Sequence, residues 1–353
     1  MASSLGKGGA ERSGAILSKL LHEAEFEVHL VIVLNIIDYS FGGVLFNLGE
    51  FKEKNNTVFG RINRFLIFKK YLKKHDFDFI IDSRSRPNFL KEFLLSKIIY
   101  NSFKTIYVIR SYKLNLYLGS FKFLSNLIYK NSFRLITVSK EIQERIEKEY
   151  GFFNVTTIYN PVDVNNCLLM SGEKLKNNYN YVLFYGRLDD KIKNISLLLN
   201  AYKISQLSEN NIKLVILGEG KDKESLKKLT FGLGLNNDVI FKTFTSTPNK
   251  IISNALYTLL TSNYEGFPRV LIESLSLGVP VISVDCASGP KEIIKNGYNG
   301  LLVENNNPKA FAEAMNSFIF DNKLYNICKN NAKKSVMHLS IQNIAKQWLK
   351  LLE

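Results

Sequence analysis

The stretch EGFPRVLIE, residues 265–273, places two glutamates eight positions apart around a Gly-Phe-Pro turn and an apolar run. Pro268 is expected at the first helical position, where its missing N–H costs nothing. The N–H groups of residues 269–271 then point out of the helix N-terminus, which favours binding of an anion. Glu273 lies about one and a half turns into the helix and can reach hydroxyl groups beside that anion. A phosphate next to a pair of sugar hydroxyls indicates a nucleotide sugar as the ligand.

The surrounding run SNYEGFPRVLIESLSLGVPVI, residues 262–282, resembles the signature of the retaining glycosyltransferases of family 4, which have the GT-B fold. The Gly-Phe-Pro turn and the Gly-Val-Pro-Val-Ile strand entry make this resemblance specific, whereas two glutamates at the same spacing would not. It implies an α/β protein with two Rossmann-like parallel-sheet domains that face a central cleft. The alternative is a solvated glutamate pair that flanks a helix.

Apolar runs that alternate with helical patterns predict two parallel-sheet domains. Buried strands are predicted at residues 28–34, 79–82, 105–110, 134–139, 181–186, 214–218, 239–241, 256–261, 279–284 and 301–303. Ser139 is the expected N-cap of a helix that runs through Glu149. We therefore predict an N-terminal acceptor-binding domain, a polar linker, a nucleotide-sugar-binding domain and a C-terminal helix, at residues 1–170, 171–180, 181–335 and 336–353. In GT-B proteins such a helix crosses back to the first domain.

The chain of 353 residues is longer than a single domain usually is, which indicates two domains. Its hydrophobic content of 46% is that of a globular protein. There is no apolar run of about 18 residues and no secretory signal, so we expect no transmembrane helix and a cytoplasmic location. The three scattered cysteines, Cys167, Cys286 and Cys328, favour a reducing compartment. The four histidines are expected to form no ligand cluster, and no metal site is predicted.

The net charge of +15 is unevenly distributed along the chain. Residues 61–134 contain 16 Lys and Arg but only 4 Asp and Glu, a net charge of +12, interleaved with Phe, Tyr, Leu and Ile. Such a surface suits the anionic face of the inner membrane, so we expect peripheral association with it. Plain solvated charge is the second interpretation, and nucleic-acid binding, which we do not expect, is the third.

A basic pair after the first strand of the second domain resembles the diphosphate clamp of the family. Gly186 ends the strand, Arg187 comes directly after it, and Lys193 follows six residues after the arginine. Ligands of open parallel sheets bind at the carboxyl ends of strands, where Arg offers a planar fork and Lys a point charge to phosphates. Most relatives have the lysine five residues after the arginine, so Lys191 is a rival. The sequence Lys-Asn-Ile-Ser-Leu favours Lys193.

Further backbone contacts to the nucleotide are implied by the resemblance. Gly218 belongs to a Gly-Glu-Gly turn, and Lys242 stands where relatives bind the base, although many have Gly in place of the next residue, Thr243. A strand-ending turn is an equally good explanation of Gly218. The run at residues 285–293 also matches the family, but it is better explained as a strand-to-helix turn.

The loop GGAER, residues 8–12, resembles the N-terminal glycine loop of the family, in which Gly8 and Gly9 would aim N–H groups at the leaving diphosphate. Relatives have a complete strand before this loop, whereas only residues 1–5 precede Gly6 here. We expect either a shortened start or a first domain that lacks its first, central strand. In the second case the neighbouring strands would be left unpaired.

The resemblance implies a metal-independent, retaining transferase without a cofactor. It would move a hexose or N-acetylhexosamine from a nucleotide donor, most simply UDP-linked, to a lipid-linked glycan in the synthesis of a capsule, lipopolysaccharide or related cell-surface polysaccharide. The resemblance implies catalytic roles for Arg187, Lys193 and Glu265. It also implies that the donor is bound by the backbone of Gly266 and Phe267, the N–H groups of Val270 and Leu271, and the Glu273 carboxylate. A nucleotide-sugar epimerase of the same fold and an inactive membrane-associated scaffold are the alternatives.

Overall fold

The computed structural model describes residues 1–163 and 179–353, which form two compact units. Unit 1 comprises Met1–Pro161 and Gln342–Glu353, and unit 2 comprises Val162–Ile341. The C-terminal twelve residues therefore belong to the same unit as the N-terminal part of the chain. Of the predicted linker, all but the last two positions lie outside the described residues.

Unit 1 contains six parallel-paired strands, of which four form one sheet. They are β1 (His29–Ile32), β2 (Val44–Asn47), β3 (Ile80–Asp82), β4 (Thr105–Ile109), β5 (Arg134–Thr137) and β6 (Val155–Thr157). The sheet has the order β3-β4-β5-β6, and β1 pairs with β2. Every residue of β4 is buried, as expected for a parallel strand covered on both faces. The four strands predicted here are confirmed to within two residues, whereas the short strands β2 and β6 are not among the predicted ones.

The first five residues lie between β1 and β3. The Ala2 N–H donates to the Val31 carbonyl at 2.9 Å, and the Ser83 N–H donates to the Met1 carbonyl at 2.9 Å. Leu5 forms a parallel bridge with Ile37 and is fully buried. This short segment therefore forms hydrogen bonds with the backbone on both sides, so the neighbouring strands are not left unpaired here.

The helices of unit 1 connect these strands. They are α1 (Gly9–Glu23), α2 (Leu48–Lys54), α3 (Val58–His75), α4 (Phe89–Leu94), α5 (Lys122–Tyr129) and α6 (Lys140–Tyr150). The predicted N-cap of α6 is confirmed, since Ser139 Oγ accepts a hydrogen bond from the Ile142 N–H.

Unit 2 is built on one six-stranded parallel sheet. Its strands are β7 (Asn180–Tyr185), β8 (Ile212–Leu217), β9 (Val239–Lys242), β10 (Thr258–Leu260), β11 (Val281–Val284) and β12 (Gly300–Val303). The strands have the order β12-β11-β10-β7-β8-β9. The chain adds β8 and β9 on one side of β7 and then β10 to β12 on its other side, as in Rossmann-like sheets. All six predicted strands are confirmed to within two residues.

Helices cover the sheet of unit 2 and its apolar core. They are α7 (Asp190–Lys193), α8 (Ile195–Ile204), α9 (Lys223–Gly232), α10 (Asn249–Ser253), α11 (Arg269–Ser276), α12 (Pro290–Ile293), α13 (Pro308–Phe320) and α14 (Asn322–Ser335). The last helix of the chain, α15 (Ile341–Leu352), has all but its first residue in unit 1 and buries Trp348. The parallel α/β architecture predicted from the sequence is thus confirmed in both units.

Candidate active site

The carboxyl ends of neighbouring strands in unit 2 bring together most of the residues that the sequence singles out. The sheet order places β11, β10, β7 and β8 side by side. β7 is followed by Gly186 and Arg187, β8 by Gly218, and β10 by the turn at residues 261–268. Since ligands of open parallel sheets bind at this edge, the strand order supports a binding site there.

An ion pair joins two of the predicted catalytic residues. Lys193 Nζ lies 2.6 Å from Glu265 Oε1, which also accepts a hydrogen bond of 2.6 Å from Ser262 Oγ. The two charged side chains are 19% and 13% exposed, respectively. Because this burial is incomplete, both groups remain accessible to a ligand while partial shielding from water strengthens their interaction.

Backbone contacts hold Lys193, rather than Lys191, beside Glu265. The Asn263 N–H donates to the Ile192 carbonyl at 2.8 Å, and Thr261 Oγ1 donates to the Lys193 carbonyl at 3.0 Å. These bonds fasten the end of α7 to the turn that carries Glu265. Lys191 is exposed on the same short helix, so the lysine six residues after Arg187 is the one that contacts Glu265.

Arg187 is exposed at the end of β7. Within the described part of the chain its guanidinium has no hydrogen-bond or ion-pair partner. An exposed guanidinium of this kind is available for a phosphate, whose binding would break no hydrogen bond or ion pair among the described residues.

Gly218 is required by a close approach of two loops. A Cβ atom at this position would lie 1.9 Å from the carbonyl oxygen of Gly186, and φ is +155°. The Gly218 N–H donates to the carbonyl of Lys242, the last residue of β9, at 3.0 Å, so the two residues lie side by side. This close approach is enough to explain why residue 218 is a glycine. Contacts of Gly218 and Lys242 with a nucleotide stay predictions. Thr243 is exposed.

The start of α11 differs from the prediction. Pro268 has ψ of 108°, which makes it the N-cap, and the helix begins at Arg269. The Leu271 N–H donates to the Pro268 carbonyl at 3.1 Å, so the expectation that it is free for an anion is wrong. The first helical turn is closed by this hydrogen bond between residues three positions apart, so the Leu271 N–H already has an acceptor. The Val270 N–H has no acceptor among the residues described here.

Glu273 is buried and paired within its own helix. Its Oε1 accepts hydrogen bonds from Arg269 Nε at 3.1 Å and Arg269 Nη2 at 2.9 Å. Both side chains are less than one-tenth exposed. This pairing was not predicted from the sequence, although the i,i+4 spacing of Arg269 and Glu273 is a recognisable signal of it. The predicted contact of Glu273 with ribose hydroxyls stays a prediction.

The loop at residues 285–289 supports the Glu265 turn. Ser288, buried with φ of +74°, donates from Oγ to the Gly266 carbonyl at 2.8 Å. The Glu265 N–H donates to the Ala287 carbonyl at 2.9 Å. At Gly289, with φ of +100°, a Cβ would lie 2.5 Å from Pro268 Cδ. The strand-to-helix turn favoured from the sequence therefore also fixes the backbone of the predicted sugar-binding turn.

Two ionisable groups near Glu265 remain protonated. Burial raises the pKa of the Cys286 thiol well above its ordinary range, and the Glu265 carboxylate acts in the same direction. Burial also raises the pKa of Tyr264, with further contributions from the carboxylates of Asp189 and Glu265. Since a thiol is nucleophilic only as the thiolate, Cys286 is not a nucleophile here.

The predicted glycine loop of unit 1 opens α1. Gly8 is the N-cap with extended backbone, and its carbonyl accepts from the Arg12 N–H at 2.9 Å. Gly9 is exposed, and its carbonyl accepts from Ser13 Oγ at 2.8 Å. The loop thus forms the predicted helix start, and its contact with a diphosphate stays a prediction.

A buried charge cluster in unit 1 was not predicted. Arg84 Nη2 lies 2.7 Å from Asp82 Oδ2 and 2.9 Å from Glu92 Oε2. Burial opposes ionisation of Asp82, but Arg84 and Arg86 outweigh it and hold the pKa of this carboxyl well below its usual range. Charged residues at the end of a predicted strand were the available signal.

The expectation that the histidines form no cluster is wrong. One ligand atom each of Glu27, His29 and His75 lie within 4.8 Å of one another. His29 and His75 are 46 positions apart in the sequence. Their contact depends on the packing of α3 on β1, so local spacing could not predict it.

Two units with Rossmann-like parallel sheets, one with basic residues at the carboxyl edge of its sheet, are the architecture of the GT-B class of glycosyltransferases. The family model "Glycosyltransferase Family 4" matches residues 7–166, and the model "Glycosyl transferases group 1" matches residues 169–335. The chain belongs to glycosyltransferase family 4, in agreement with the resemblance found in the sequence.

Relatives and solved structures extend over the whole chain. The N-acetylgalactosamine-N,N'-diacetylbacillosaminyl-diphospho-undecaprenol 4-alpha-N-acetylgalactosaminyltransferase of Campylobacter jejuni is 30% identical, over 99% of this chain and 97% of that protein. A structure of Anabaena HepE in complex with UDP-glucose is 18% identical, covers 99% of this chain and 98% of its own, and has a TM-score of 0.78. The lipopolysaccharide outer core galactosyltransferase WaaB is 20% identical with a TM-score of 0.70, over 100% and 99% of the two chains. These structures support the fold.

Proposed function

We propose that this glycosyltransferase moves a hexose or N-acetylhexosamine, with retention of configuration, from a UDP-linked donor to a lipid-linked glycan of a cell-surface polysaccharide. The observation that carries the proposal is the partly buried Lys193–Glu265 pair at the carboxyl edge of the unit 2 sheet. The Campylobacter jejuni relative, which spans nearly the whole chain, acts on a diphospho-undecaprenol acceptor, and this supports an acceptor of the same chemistry.

The proposed roles follow from charge. Transfer leaves a nucleoside diphosphate, whose negative charge grows as the glycosidic bond breaks. Arg187 and Lys193 would neutralise this charge, and Glu265 with the backbone of Gly266 would orient the sugar. Protein cations in these places make a divalent ion unnecessary for the reaction, so we propose metal-independent transfer.

The purified chain is to be incubated with UDP-GalNAc, UDP-GlcNAc, UDP-Gal or UDP-Glc and a polyprenyl-diphosphate-linked oligosaccharide. We expect one donor to extend the acceptor by one sugar, at an unchanged initial rate in excess EDTA, with a product whose anomeric configuration by NMR equals that of the donor. Formation of an epimerised UDP-sugar without acceptor would favour the epimerase. Neither product with any donor would favour the inactive scaffold, and an inverted product would contradict retention.

The membrane-facing surface is proposed to be one side of α3. Phe59, Ile62 and Leu66 are exposed at spacings of three and four, which places them on one face. Four exposed lysines, Lys69, Lys70, Lys73 and Lys74, follow towards the end of the helix. No helix within residues 1–163 and 179–353 is both long and apolar enough to cross a bilayer. We therefore propose peripheral attachment to the anionic inner face of the cell membrane.

Vesicle sedimentation tests this attachment. Each basic residue near an anionic surface contributes about 1 kcal/mol and is screened by salt, so replacing Lys69, Lys70, Lys73 and Lys74 by Ser is expected to lower binding at least tenfold at low salt. The matched control replaces four lysines of α14 in unit 2, Lys323, Lys329, Lys333 and Lys334. UDP affinity should be unchanged in both variants. Equal loss in the control, or equal binding of the parent to neutral and anionic vesicles, would overturn the proposal.

A further inference from the structure

We propose that Glu27, His29 and His75 form a binding site for a divalent transition-metal ion, with Zn²⁺ as the probe of choice, at the amino end of β1 in unit 1. One ligand atom of each residue lies within 4.8 Å of the other two. Two imidazoles and one carboxylate are a donor set typical of Zn²⁺, Ni²⁺ and Cu²⁺, with further coordination positions open to water.

Two of the donors are within about half an ångström of the spacing of two zinc ligands. Glu27 Oε1 lies 2.9 Å from His29 Nε2. Two ligands of a tetrahedral zinc ion, with bonds of about 2.0–2.2 Å, stand roughly 3.3–3.5 Å apart. The Glu27 side chain is largely exposed and the His29 side chain is buried, so the carboxylate can shift while the imidazole stays fixed.

Tyr71 provides the outer contact that metal-bound histidines commonly have. His29 Nδ1 lies 2.5 Å from the Tyr71 hydroxyl. When an ion binds Nε2, the neutral ring carries its proton on Nδ1 and donates it to the Tyr71 oxygen, whose own hydrogen rotates away. This hydrogen bond then fixes the orientation of the ring.

Aromatic packing holds the two imidazoles in place. The His29 and His75 ring centroids are 4.5 Å apart, and His75 stacks on Phe77 at 5.6 Å. Tyr71 stacks on Phe46 at 3.8 Å. Side chains locked in this way need little ordering when an ion binds, which favours affinity.

The position of the site indicates a structural role. His29 is the first residue of β1 and His75 the last of α3, so an ion would join the end of this helix to the start of the strand. Substrates of parallel α/β sheets bind at the opposite, carboxyl ends. The ion would stabilise the folded chain by mass action without taking part in transfer.

Titration calorimetry of the untagged, EDTA-treated full chain with Zn²⁺ tests the site. We expect one ion per chain, at least tenfold weaker binding in His75→Ala and in Glu27→Gln, and a zinc-dependent rise of Tm in the parent that both variants lack. His22→Ala and His338→Ala, which change the other two histidines, should bind as the parent does.

Glu27 is exposed and His75 is only half-buried, so folding, checked by circular dichroism, should be preserved in both main variants. No binding by the parent, or equal affinity in parent and His75→Ala, would overturn the proposal. Loss of binding in His338→Ala alone would place the ion elsewhere and overturn it as well. Transfer activity is not the readout, so failure here is distinguishable from failure of the proposed function.

Discussion

Two ion-pair clusters follow strand ends in the two units, and they differ in burial. In unit 1 the side chains of Asp82, Arg84 and Glu92 are at most 5% exposed, and one arginine satisfies two carboxylates. In unit 2 the Lys193 and Glu265 side chains are 19% and 13% exposed and form a single pair. The first cluster is closed to a ligand by its own contacts, whereas the second can exchange an internal contact for one with a ligand.

This difference separates a structural role from a binding role. A buried arginine between two carboxylates is costly to remove because it leaves uncompensated charge in a low-dielectric environment. A partly exposed pair contributes less to stability and keeps its groups available. We expect substitutions in unit 1 to change unfolding and those in unit 2 to change activity, and the experiments below test this division in order of decreasing effect.

Arg84→Met should give the largest change, a loss of about 3–5 kcal/mol in the free energy of unfolding of unit 1. Hydrogen exchange at the β3 and β4 amides in increasing urea measures it. Lys104→Met, which removes an exposed pair with Asp76 in the same unit, should cost at most about 1 kcal/mol. Similar losses in the two variants would show that burial does not distinguish these pairs.

The same cluster predicts an acid dependence of stability. The pKa of Asp82 is lowered in the folded chain, so its contribution is present above the unfolded-state pKa of about 3.9 and is lost as pH falls through the folded value. Unit 1 should therefore lose stability below about pH 4. The Arg84→Met variant should show a weaker dependence there.

Lys193→Ala should lower kcat/KM at least a hundredfold, equivalent to about 2.7 kcal/mol of transition-state stabilisation. The substitution removes a cation from the leaving diphosphate and leaves Glu265 unpaired. Steady-state kinetics of sugar transfer measure it, with Lys191→Ala as the matched control on the same helix, expected within twofold of the parent. A larger loss in Lys191→Ala would reverse the assignment of the clamp.

Arg187→Ala should weaken UDP binding about tenfold or more, because it removes a charge-assisted phosphate contact of roughly 1.5–3 kcal/mol. Calorimetry with UDP measures this, and the free energy of unfolding should hardly change, since the guanidinium makes no hydrogen bond or ion pair with the described residues. Lys203→Ala, an exposed cation on α8, is the control. Unchanged UDP affinity would remove Arg187 from the site.

Glu273→Gln separates the two roles of a residue that is both buried and predicted to bind ribose. A carboxylate accepts from both ribose hydroxyls, whereas an amide has one accepting oxygen, so discrimination between UDP and 2′-deoxy-UDP should fall severalfold. Competition binding with both nucleotides measures the ratio. A fall in Tm with an unchanged ratio would assign Glu273 solely to its pair with Arg269.

Part of the candidate site is predicted from residues that are close to one another along the chain, and its ligand contacts stay predictions. The turn at residues 265–273 holds both glutamates and the helix start, so its spacing alone predicts an anion site next to a carboxylate. The Lys193–Glu265 contact could be expected only through the family resemblance, since 72 positions separate the two residues. The error at Leu271 arose from closure of the first helical turn, which depends on the ψ angle of Pro268.

The sequence by itself determined the ten predicted strands, the start of α6 at its N-cap Ser139, and the family. Hydrophobic periodicity, helix capping and the spacing of motif residues are local properties, so they can be found without the tertiary structure. The tertiary structure decided which lysine reaches Glu265, why Gly218 must lack a Cβ, and how residues 1–5 bond to both neighbouring strands. It also brought His29 to His75 and Arg84 to Asp82 and Glu92. Burial and contact geometry depend on how distant segments pack, and no local pattern of residues specifies them.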